Sequence, residues 1–176
     1  MHAAPYAGGM RVVVMGVTGC GKSSVGTALA ASLGIPFADA DGFHPASNVA
    51  KMSAGVSLTD AERWPWLDAI GAWLGSHPDS VVACSALKRS YRDRLRVDAG
   101  AVVFVHLAAR KSILAARVAL RSETEGHFAG TDLLDSQYAT LEPLGFEEVG
   151  GTIDVSHLSI HQAWSEVAYL IELQED

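Results

Sequence analysis

The stretch RVVVMGVTGCGKS, residues 11–23, joins a short apolar run to a glycine-rich loop that ends in a lysine and a serine. Residues 16–23 match the pattern G-x-x-x-x-G-K-[ST], in which glycines let successive backbone N–H groups point inward at phosphate oxygens. Lys22 supplies a mobile charge for the β- and γ-phosphates, and the Ser23 hydroxyl can bind Mg²⁺. The run before the loop predicts a strand and the periodicity after it predicts a helix, which is the setting that the pattern needs. We therefore predict a phosphate-binding loop at the start of an α/β domain.

Short apolar runs alternate with helical patterns along the rest of the chain. We predict strands at residues 11–15, 36–38, 80–84, 101–107 and 152–155, and helices at residues 22–33, 59–75, 88–96, 110–121, 131–141 and 159–174. The runs VVV and VVFV are rich in β-branched residues and lack strict alternation, which is typical of strands covered on both faces. Alternation of strands and helices predicts a parallel sheet with helices on both sides.

Two helix starts carry local signals. Thr59 and Glu62 have the spacing of a capping box, and Ser159 is placed to cap the last helix. Pro65 falls inside the helix that Thr59 would cap, which favours a kink or a delayed start near Trp64.

The composition limits the class of protein. Of 176 residues, 49% are hydrophobic and 19% are charged, so the chain can bury a sizeable core and is not disordered. The formal charge of −7 argues against duplex nucleic acid or an anionic membrane as the main partner. Two cysteines, Cys20 and Cys84, are too few for a disulfide framework, which favours a reducing cytoplasm. No apolar run approaches the length of about 20 residues that a transmembrane helix needs.

The domain organisation is predicted to be simple. Residues 1–10 lack the pattern of a signal peptide and are expected to form a flexible lead-in. Residues 11–176 are expected to form one domain.

A pair of acidic residues follows the second predicted strand. Asp39 and Asp41 would lie at the carboxyl end of a parallel sheet, where ligands bind. One carboxylate can order the water shell of Mg²⁺ while the other accepts a proton from an attacking hydroxyl. The chain has no N-K-x-D sequence to bind guanine, and its third predicted strand runs into Ser85 where a motor-type ATPase usually has an aspartate. The pattern therefore favours phosphoryl transfer to a small hydroxylated molecule.

Several longer blocks carry a resemblance. The sequences GVTGCGKS, DADGFHPASNVAKM, GVSLTDAERWPWL, CSALKRSYRDRLR and LLDSQYATLEPL together resemble the gluconate kinases, small enzymes related to shikimate and nucleoside-monophosphate kinases. The match runs from about residue 12 to residue 154. It implies ATP- and Mg²⁺-dependent phosphorylation of D-gluconate at its terminal hydroxyl, giving 6-phosphogluconate, and commonly a homodimer. It also implies a three-layer P-loop kinase fold with a five-stranded parallel sheet, helices on both faces, substrate-binding helices at about 44–76 and a small lid at about 121–131.

The resemblance also implies site residues at matching positions. Nucleotide binding is implied for Gly16, Thr18, Gly19, Cys20, Gly21, Lys22, Ser23, Ser24, Arg117 and Arg121. Substrate binding is implied for Asp41, His44, Asn48, Lys51, Lys88, Tyr91 and Arg92. Ser23 and Asp39 are the expected metal residues. The expected catalytic residues are Lys22, Arg121 and Asp41, with Asp41 as the base that faces the substrate.

The cations after the third predicted strand suggest a site for the acid group. A sugar acid held by its reacting hydroxyl at Asp41 places its carboxylate several ångströms away, where Lys88, Arg89 and Arg92 form the nearest cluster by topology. Arg92 is our preferred anchor, because a planar guanidinium matches a carboxylate better than an ammonium does. The alternative is a solvated basic face of a helix.

A second pair of cations precedes the expected lid. Arg117 and Arg121 lie four residues apart, so they share a helix face and either cover the phosphates or form surface ion pairs. The segment before His127 departs from the family by about three extra residues, which include Glu123 and Glu125.

The charges are unevenly distributed along the sequence. All 13 Lys and Arg lie at or before Arg121 and share that span with 8 acidic residues, whereas residues 122–176 hold 12 acidic residues and no Lys or Arg. The net charges are therefore +5 and −12. Concentrated cations let an acidic protein receive two anionic substrates. A kinase for another polyol, sugar acid or shikimate-like alcohol stays open as an alternative, as does a binding module that uses ATP as a switch.

Overall fold

Five strands form a parallel sheet in the order β2-β3-β1-β4-β5 in the computed structural model, which describes residues 9–125 and 131–174. The strands are β1 (Arg11–Met15), β2 (Phe37–Asp39), β3 (Ser80–Ala83), β4 (Val103–Ala108) and β5 (Gly150–Asp154). In the middle of the sheet, Val13 lies beside Val82 on one side and Phe104 on the other. The predicted five-stranded parallel sheet is confirmed, and each predicted strand overlaps an observed one.

The described residues form seven α-helices and one short 3₁₀ turn. The helices are α1 (Lys22–Leu33), α2 (Ala46–Ser53), α3 (Asp60–Ser76), α4 (Arg89–Ala99), α5 (Lys111–Glu125), α6 (Thr131–Thr140) and α7 (Ile160–Glu172), and the turn is Ala40–Phe43. Helix α2 is absent from the helices predicted individually, because its 8 residues are too few to show a clear apolar period.

Helices cover both faces of the sheet because alternate residues of a strand point to opposite sides. Val12 and Val14 belong to one core with α1, α5 and α7, whereas Val13 and Met15 belong to the other, with α3 and α4. All four side chains are fully buried, and each such burial is worth about 1.5–3 kcal/mol. In the first core, α7 lies directly against α1. This burial on both faces explains the β-branched run without polar alternation.

Both predicted helix caps are present. Thr59 Oγ1 accepts a hydrogen bond from Glu62 N at 3.3 Å, and the Glu62 carboxylate accepts one from Thr59 N at 2.7 Å. Ser159 forms the same reciprocal pair with Gln162: its hydroxyl accepts from Gln162 N, and its own N–H donates to the Gln162 side chain. Helix α3 begins at Asp60 and continues through Pro65. The delayed start is therefore wrong, because the capping box satisfies the first turn and places the helix start before the proline.

The start of β5 depends on a glycine. Gly150 has a φ of +130°, and a Cβ built on it would lie 1.8 Å from the carbonyl oxygen of Phe104. Any side chain here would therefore push β5 away from β4.

Two sequence predictions fall largely outside the described residues. Of the expected lead-in, residues 1–10, only residues 9 and 10 are described. The expected lid, residues 121–131, is described only at its two ends, and His127 lies between them. Among the helices that the structure describes, none is long and apolar enough to cross a bilayer.

Candidate active site

The phosphate-binding loop runs from the end of β1 to the first turn of α1 and closes back on itself. Cys20 N donates to the Val17 carbonyl at 3.4 Å, and Lys22 Nζ donates to the same carbonyl at 3.1 Å. Gly16 has a φ of +144°, and a Cβ on it would lie 2.8 Å from the Leu107 carbonyl oxygen, so the loop passes β4 too closely for another residue. The loop therefore leads into the N-terminus of α1, whose first N–H groups and dipole favour an anion.

An aspartate connects this loop to the turn after β2. One carboxylate oxygen of Asp39 accepts a hydrogen bond from Ser23 Oγ at 2.5 Å, and the other accepts one from Asp41 N at 3.0 Å. The 3₁₀ turn after Asp39 therefore holds Asp41 near the phosphate-binding loop, at the carboxyl edge of the sheet. The Asp41 residue is exposed and accessible to a ligand.

Ser23 and Asp39 fit a magnesium ion that binds mainly through phosphates. Mg²⁺ prefers oxygen ligands and is usually held by one or two protein groups together with water and substrate phosphates. The described part of the chain contains no group of three or more His, Cys, Asp and Glu side chains that could hold a metal on its own. The hydroxyl–carboxylate pair next to the loop therefore suits a metal that arrives with a nucleotide.

A cavity of about 390 Å³ adjoins the loop on the nucleotide side, where α5 and the connection from β5 to α7 form its other walls. Arg117 of α5 donates to the carbonyls of Val155 at 3.2 Å and Ser156 at 3.4 Å, which brings α5 close to that connection. Arg121, one turn further along α5, is exposed and also lines the cavity. The volume lies within the usual range of small-molecule sites.

The segment from the 3₁₀ turn to α3 forms a second wall, on which His44 is held in place. Asn48 Nδ2 donates to the Glu62 carbonyl at 3.0 Å and lies 3.3 Å from His44 Nδ1. The His44 ring stacks on Trp66 at 4.3 Å, and Trp66 Nε1 donates to the Ala40 carbonyl at 2.7 Å. Because the Glu62 carbonyl identifies Asn48 Nδ2 as a donor, His44 Nδ1 must accept, which leaves the proton of the neutral ring on Nε2.

His44 is neutral at pH 7. Burial lowers the pKa of His44 below its usual 6.5; the charge of Asp41 opposes this shift and the charge of Arg63 adds to it. The Nε2–H group is therefore available to donate a hydrogen bond to a ligand, and His44 lies within electrostatic range of both Asp41 and Arg63.

Three more of the expected substrate residues make contacts within the protein. Lys51 pairs with Glu62 at 2.8 Å, and Lys88 pairs with Asp60 at 2.9 Å. The Tyr91 hydroxyl donates to the same Asp60 carboxylate. The hydrogen bond from Lys51 is the main reason that the pKa of Glu62 falls to about 2. The two cations are thus neutralised in this conformation by acidic residues of the first turn of α3.

Comparisons with known proteins identify the family. The shikimate kinase family model matches residues 18–140. Gluconokinase from Gluconobacter oxydans (strain 621H) is 48% identical over 141 residues, which is 78% of each chain. The chain belongs to the gluconokinase family.

Other relatives support this assignment. Thermosensitive gluconokinase from Escherichia coli (strain K12) is 38% identical over 154 residues, 85% of this chain and 81% of the relative. The crystal structure of a gluconokinase from Sinorhizobium meliloti 1021 has a TM-score of 0.85 at 45% identity, covering 97% of this chain and 96% of that one. A shikimate kinase from Acinetobacter baumannii, at 16% identity and a TM-score of 0.64 over 94% of each chain, shares the fold. The gluconokinase-family chain is thus an enzyme, a kinase, as the sequence predicts.

The structure contradicts the predicted role of Arg92 as the anchor of a substrate carboxylate. In this gluconokinase-family chain Arg92 is fully buried, and its Nε and Nη2 donate to the two carboxylate oxygens of Glu148 at 2.8 and 2.9 Å. Its remaining N–H groups donate to the main-chain carbonyls of residues 86, 87, 142 and 143. Every donor of the guanidinium is used within the protein. Arg92 therefore fastens the loop after α6 to α4 and cannot reach a ligand.

Neighbouring cations of α4 join the same network. Arg89 pairs with Glu147, and Arg96 pairs with Glu148 at 2.8 Å. The basic stretch of α4 is thus bound largely to acids from the C-terminal part of the chain. The basic residues of α4 are neutralised largely by acidic residues that are distant in sequence but adjacent in the fold. Helix α4 therefore does not present a basic surface to the substrate.

Sequence reasoning missed Arg63 of α3. Its Nε is buried and has no hydrogen-bond partner among the residues that the structure describes. The guanidinium carbon lies 5.6 Å from the centre of the Tyr91 ring, and its charge acts on His44 and Asp60. A buried donor without a partner is costly unless a ligand satisfies it. Arg63 is therefore well placed to bind an anionic group; the block DAERWPWL contains it, but nothing local distinguishes it from a surface arginine.

Proposed function

We propose that this chain transfers the terminal phosphoryl group of ATP to the terminal hydroxyl of D-gluconate, giving 6-phospho-D-gluconate. Relatives named gluconokinase support the acceptor, and the loop before α1 supports a nucleotide donor. The observation that carries the proposal is that Asp39 accepts hydrogen bonds from both Ser23 Oγ and Asp41 N, which holds Asp41 beside the phosphate-binding loop. A carboxylate that can accept a proton therefore lies next to a phosphate-binding loop, and the buried Arg63 Nε, which has no partner among the described residues, supports an acid group on the acceptor.

Each residue of the loop side has a proposed role in this reaction. Asp41 accepts the proton of the attacking hydroxyl as the new bond to phosphorus forms. Asp39 and Ser23 would hold Mg²⁺, which neutralises charge on the phosphates when it is bound. Lys22 exchanges its present acceptor, the Val17 carbonyl, for phosphate oxygens.

Residues outside the phosphate-binding loop complete the proposed site. Arg63 binds the carboxylate of the sugar acid, and the Nε2–H of His44 donates to one of its hydroxyls. Arg117 and Arg121 supply positive charge to the phosphates during transfer. The homodimer and the cytoplasmic location stay predictions from the sequence.

The first test is ADP release by the full chain with ATP, Mg²⁺ and each of a panel of acceptors that includes gluconate, other sugar acids, polyols and shikimate. We expect turnover with gluconate and none with shikimate. A clear preference for another acceptor would contradict the proposed substrate. ATP binding without acceptor-dependent turnover would indicate a nucleotide switch and contradict the reaction itself.

Asp41→Asn tests the proposed base. The variant keeps the size of the side chain and loses the proton acceptor, so kcat should fall by about 10²–10⁴-fold while the Kd for ATP stays unchanged. Asp98→Asn, at an exposed aspartate of α4, is the matched control and should keep the wild-type kcat. Full turnover in Asp41→Asn would remove the residue from the chemistry.

A further inference from the structure

The tip of the phosphate-binding loop is held by the two helices that flank residues 126–130. Thr18 N donates to Gln137 Oε1 of α6 at 2.6 Å, across a sequence separation of 119 residues. At the next position, a Cβ on Gly19 would lie 3.1 Å from Val118 Cγ2 of α5. Helix α6 therefore bonds to one residue of the tip while α5 packs closely against the following one.

Helix α6 is fixed independently of this contact. The Tyr138 hydroxyl donates to the Ala109 carbonyl, at the end of β4, at 2.7 Å, and Lys111 of α5 pairs with Asp135 at 2.6 Å. Leu134 is fully buried in the core that also contains apolar side chains of the phosphate-binding loop. These contacts set the position of α6 and thereby place the Gln137 side chain next to the loop.

We infer that Gln137 is a positioning residue, which holds the Thr18 peptide in the orientation that binds a polyphosphate and so couples α5 and α6 to the nucleotide. This inference rests on the proposed function in taking ATP as the ligand. The turn at the tip has weak backbone support of its own, since its Cys20–Val17 hydrogen bond is long at 3.4 Å and Lys22 Nζ, the other donor to Val17, is proposed to move to phosphate oxygens. An outside acceptor for the Thr18 N–H therefore restricts a segment that would otherwise sample several conformations.

The chemistry of the side chain fits this role. A glutamine amide accepts a hydrogen bond from the Thr18 N–H without adding negative charge, whereas a glutamate in the same place would repel the phosphates.

The opposite role is an inhibitory contact, in which Gln137 occupies an N–H group that a phosphate oxygen requires. The two roles differ in sign: loss of the acceptor weakens nucleotide binding in the first and strengthens it in the second.

Titration calorimetry of the full chain with ADP and with AMP separates these roles. Gln137→Met keeps the length of the side chain and removes the acceptor, and it should weaken ADP binding by about 2- to 10-fold, the usual worth of one hydrogen bond. Gln137→Glu keeps the acceptor and adds a charge, and it should weaken ADP binding at least as much. Both variants should bind AMP within twofold of wild type, because AMP lacks the β-phosphate that the loop binds. Ser136→Ala, at the exposed neighbouring residue of α6, should match wild type throughout.

Several results would overturn the inference. Unchanged or tighter ADP binding by Gln137→Met would do so, and so would equal losses for ADP and AMP, which indicate general damage. Thermal unfolding without nucleotide checks folding, and Gln137→Leu, which also lacks the acceptor, supplies the second variant if Gln137→Met does not fold. In turnover assays the KM for ATP should rise while the KM for gluconate does not. The calorimetry needs no acceptor, so it tests Gln137 even if gluconate proves to be the wrong substrate.

Discussion

Replacing Arg92 with alanine removes one of the two arginines that hydrogen-bond to Glu148, whose side chain is 1% exposed. Breaking a buried ion pair by removing one partner costs about 3–5 kcal/mol. The pKa of Glu148 gives a second figure: burial alone would raise it, but hydrogen bonds from Arg92 and Arg96 outweigh burial and lower it from 4.5 to about 2. That fall corresponds to about 3 kcal/mol of stabilisation at neutral pH, to which Arg92, Arg96 and the Gly145 N–H all contribute. We therefore expect Arg92→Ala to lower the free energy of unfolding by about 3 kcal/mol and to leave the KM for gluconate nearly unchanged.

The lowered pKa also sets the pH dependence of this effect. A carboxylate whose folded-state pKa lies below its unfolded value stabilises the fold fully above the unfolded pKa and loses that effect as the pH falls through the folded pKa. For Glu148 the loss begins near pH 4.5 and is complete near pH 2. The difference in unfolding free energy between wild type and Arg92→Ala should therefore shrink as the pH falls from 7 to 3.

Urea unfolding followed by tryptophan fluorescence measures both the loss of unfolding free energy and its dependence on pH. Arg94→Ala is the matched control on the same helix, because the side chains of its Arg94–Asp68 pair are 45% and 44% exposed and such pairs contribute at most about 1 kcal/mol. The double change Arg92→Met with Glu148→Leu should recover part of the loss, since it leaves no buried charge. Wild-type stability of Arg92→Ala together with a raised KM for gluconate would refute this account and restore the ligand role.

Three further predictions concern Arg63 and His44, on the wall formed by the segment from the 3₁₀ turn to α3, and Gly150 of β5. Arg63→Ala should raise the KM for gluconate by about 10- to 100-fold and leave the KM for ATP within twofold, because charged hydrogen bonds are worth about 1.5–3 kcal/mol; equal changes in ADP-release assays would contradict the anchor role. His44 should titrate below pH 6.5 and carry its proton on Nε2 at pH 7, and NMR of the ring nitrogens that showed a charged ring at pH 7 would disprove the tautomer. Gly150→Ala should lower the unfolding free energy by about 3 kcal/mol or more, through overlap with the Phe104 carbonyl. Gly42→Ala, where a Cβ meets nothing within 4 Å, is its control, and similar urea midpoints for the two variants would argue against that overlap.

The parts of the fold that depend on neighbouring residues were predictable. Residues 11–23 carry the strand, the glycines and the helix start within one stretch, so β1, the loop and α1 follow from local rules. The same is true of Thr59 and Glu62, whose side chains reach only three residues. Asp39 and Asp41 were placed at the carboxyl edge of the sheet because parallel topology brings the ends of all strands to one edge.

The parts that depend on distant partners were not predictable. Arg63 and Arg92 both lie in helices beside the expected site, and only their partners distinguish them. Arg92 meets Glu148, 56 residues further on, and becomes buried, whereas the Arg63 Nε has no partner in the described residues. Gln137 reaches Thr18 across a still longer separation. No periodicity or motif in the sequence indicates contacts between residues so far apart, since these contacts form only when the helices pack on the sheet.

The packing of α7 against α1 links the order of synthesis to ligand binding. Because α1 precedes α7 in the chain, the ribosome makes the phosphate-binding loop before it makes α7. Until α7 emerges, Val25 and Leu29 of α1 lack the cover that Ala163, Val167 and Ile171 provide in the finished core. Until α7 is made, a nascent chain therefore carries the loop with α1 only partly supported behind it. Emergence of α7 completes the apolar core behind α1, so truncations that remove α7 should act on the phosphate-binding loop from a distance.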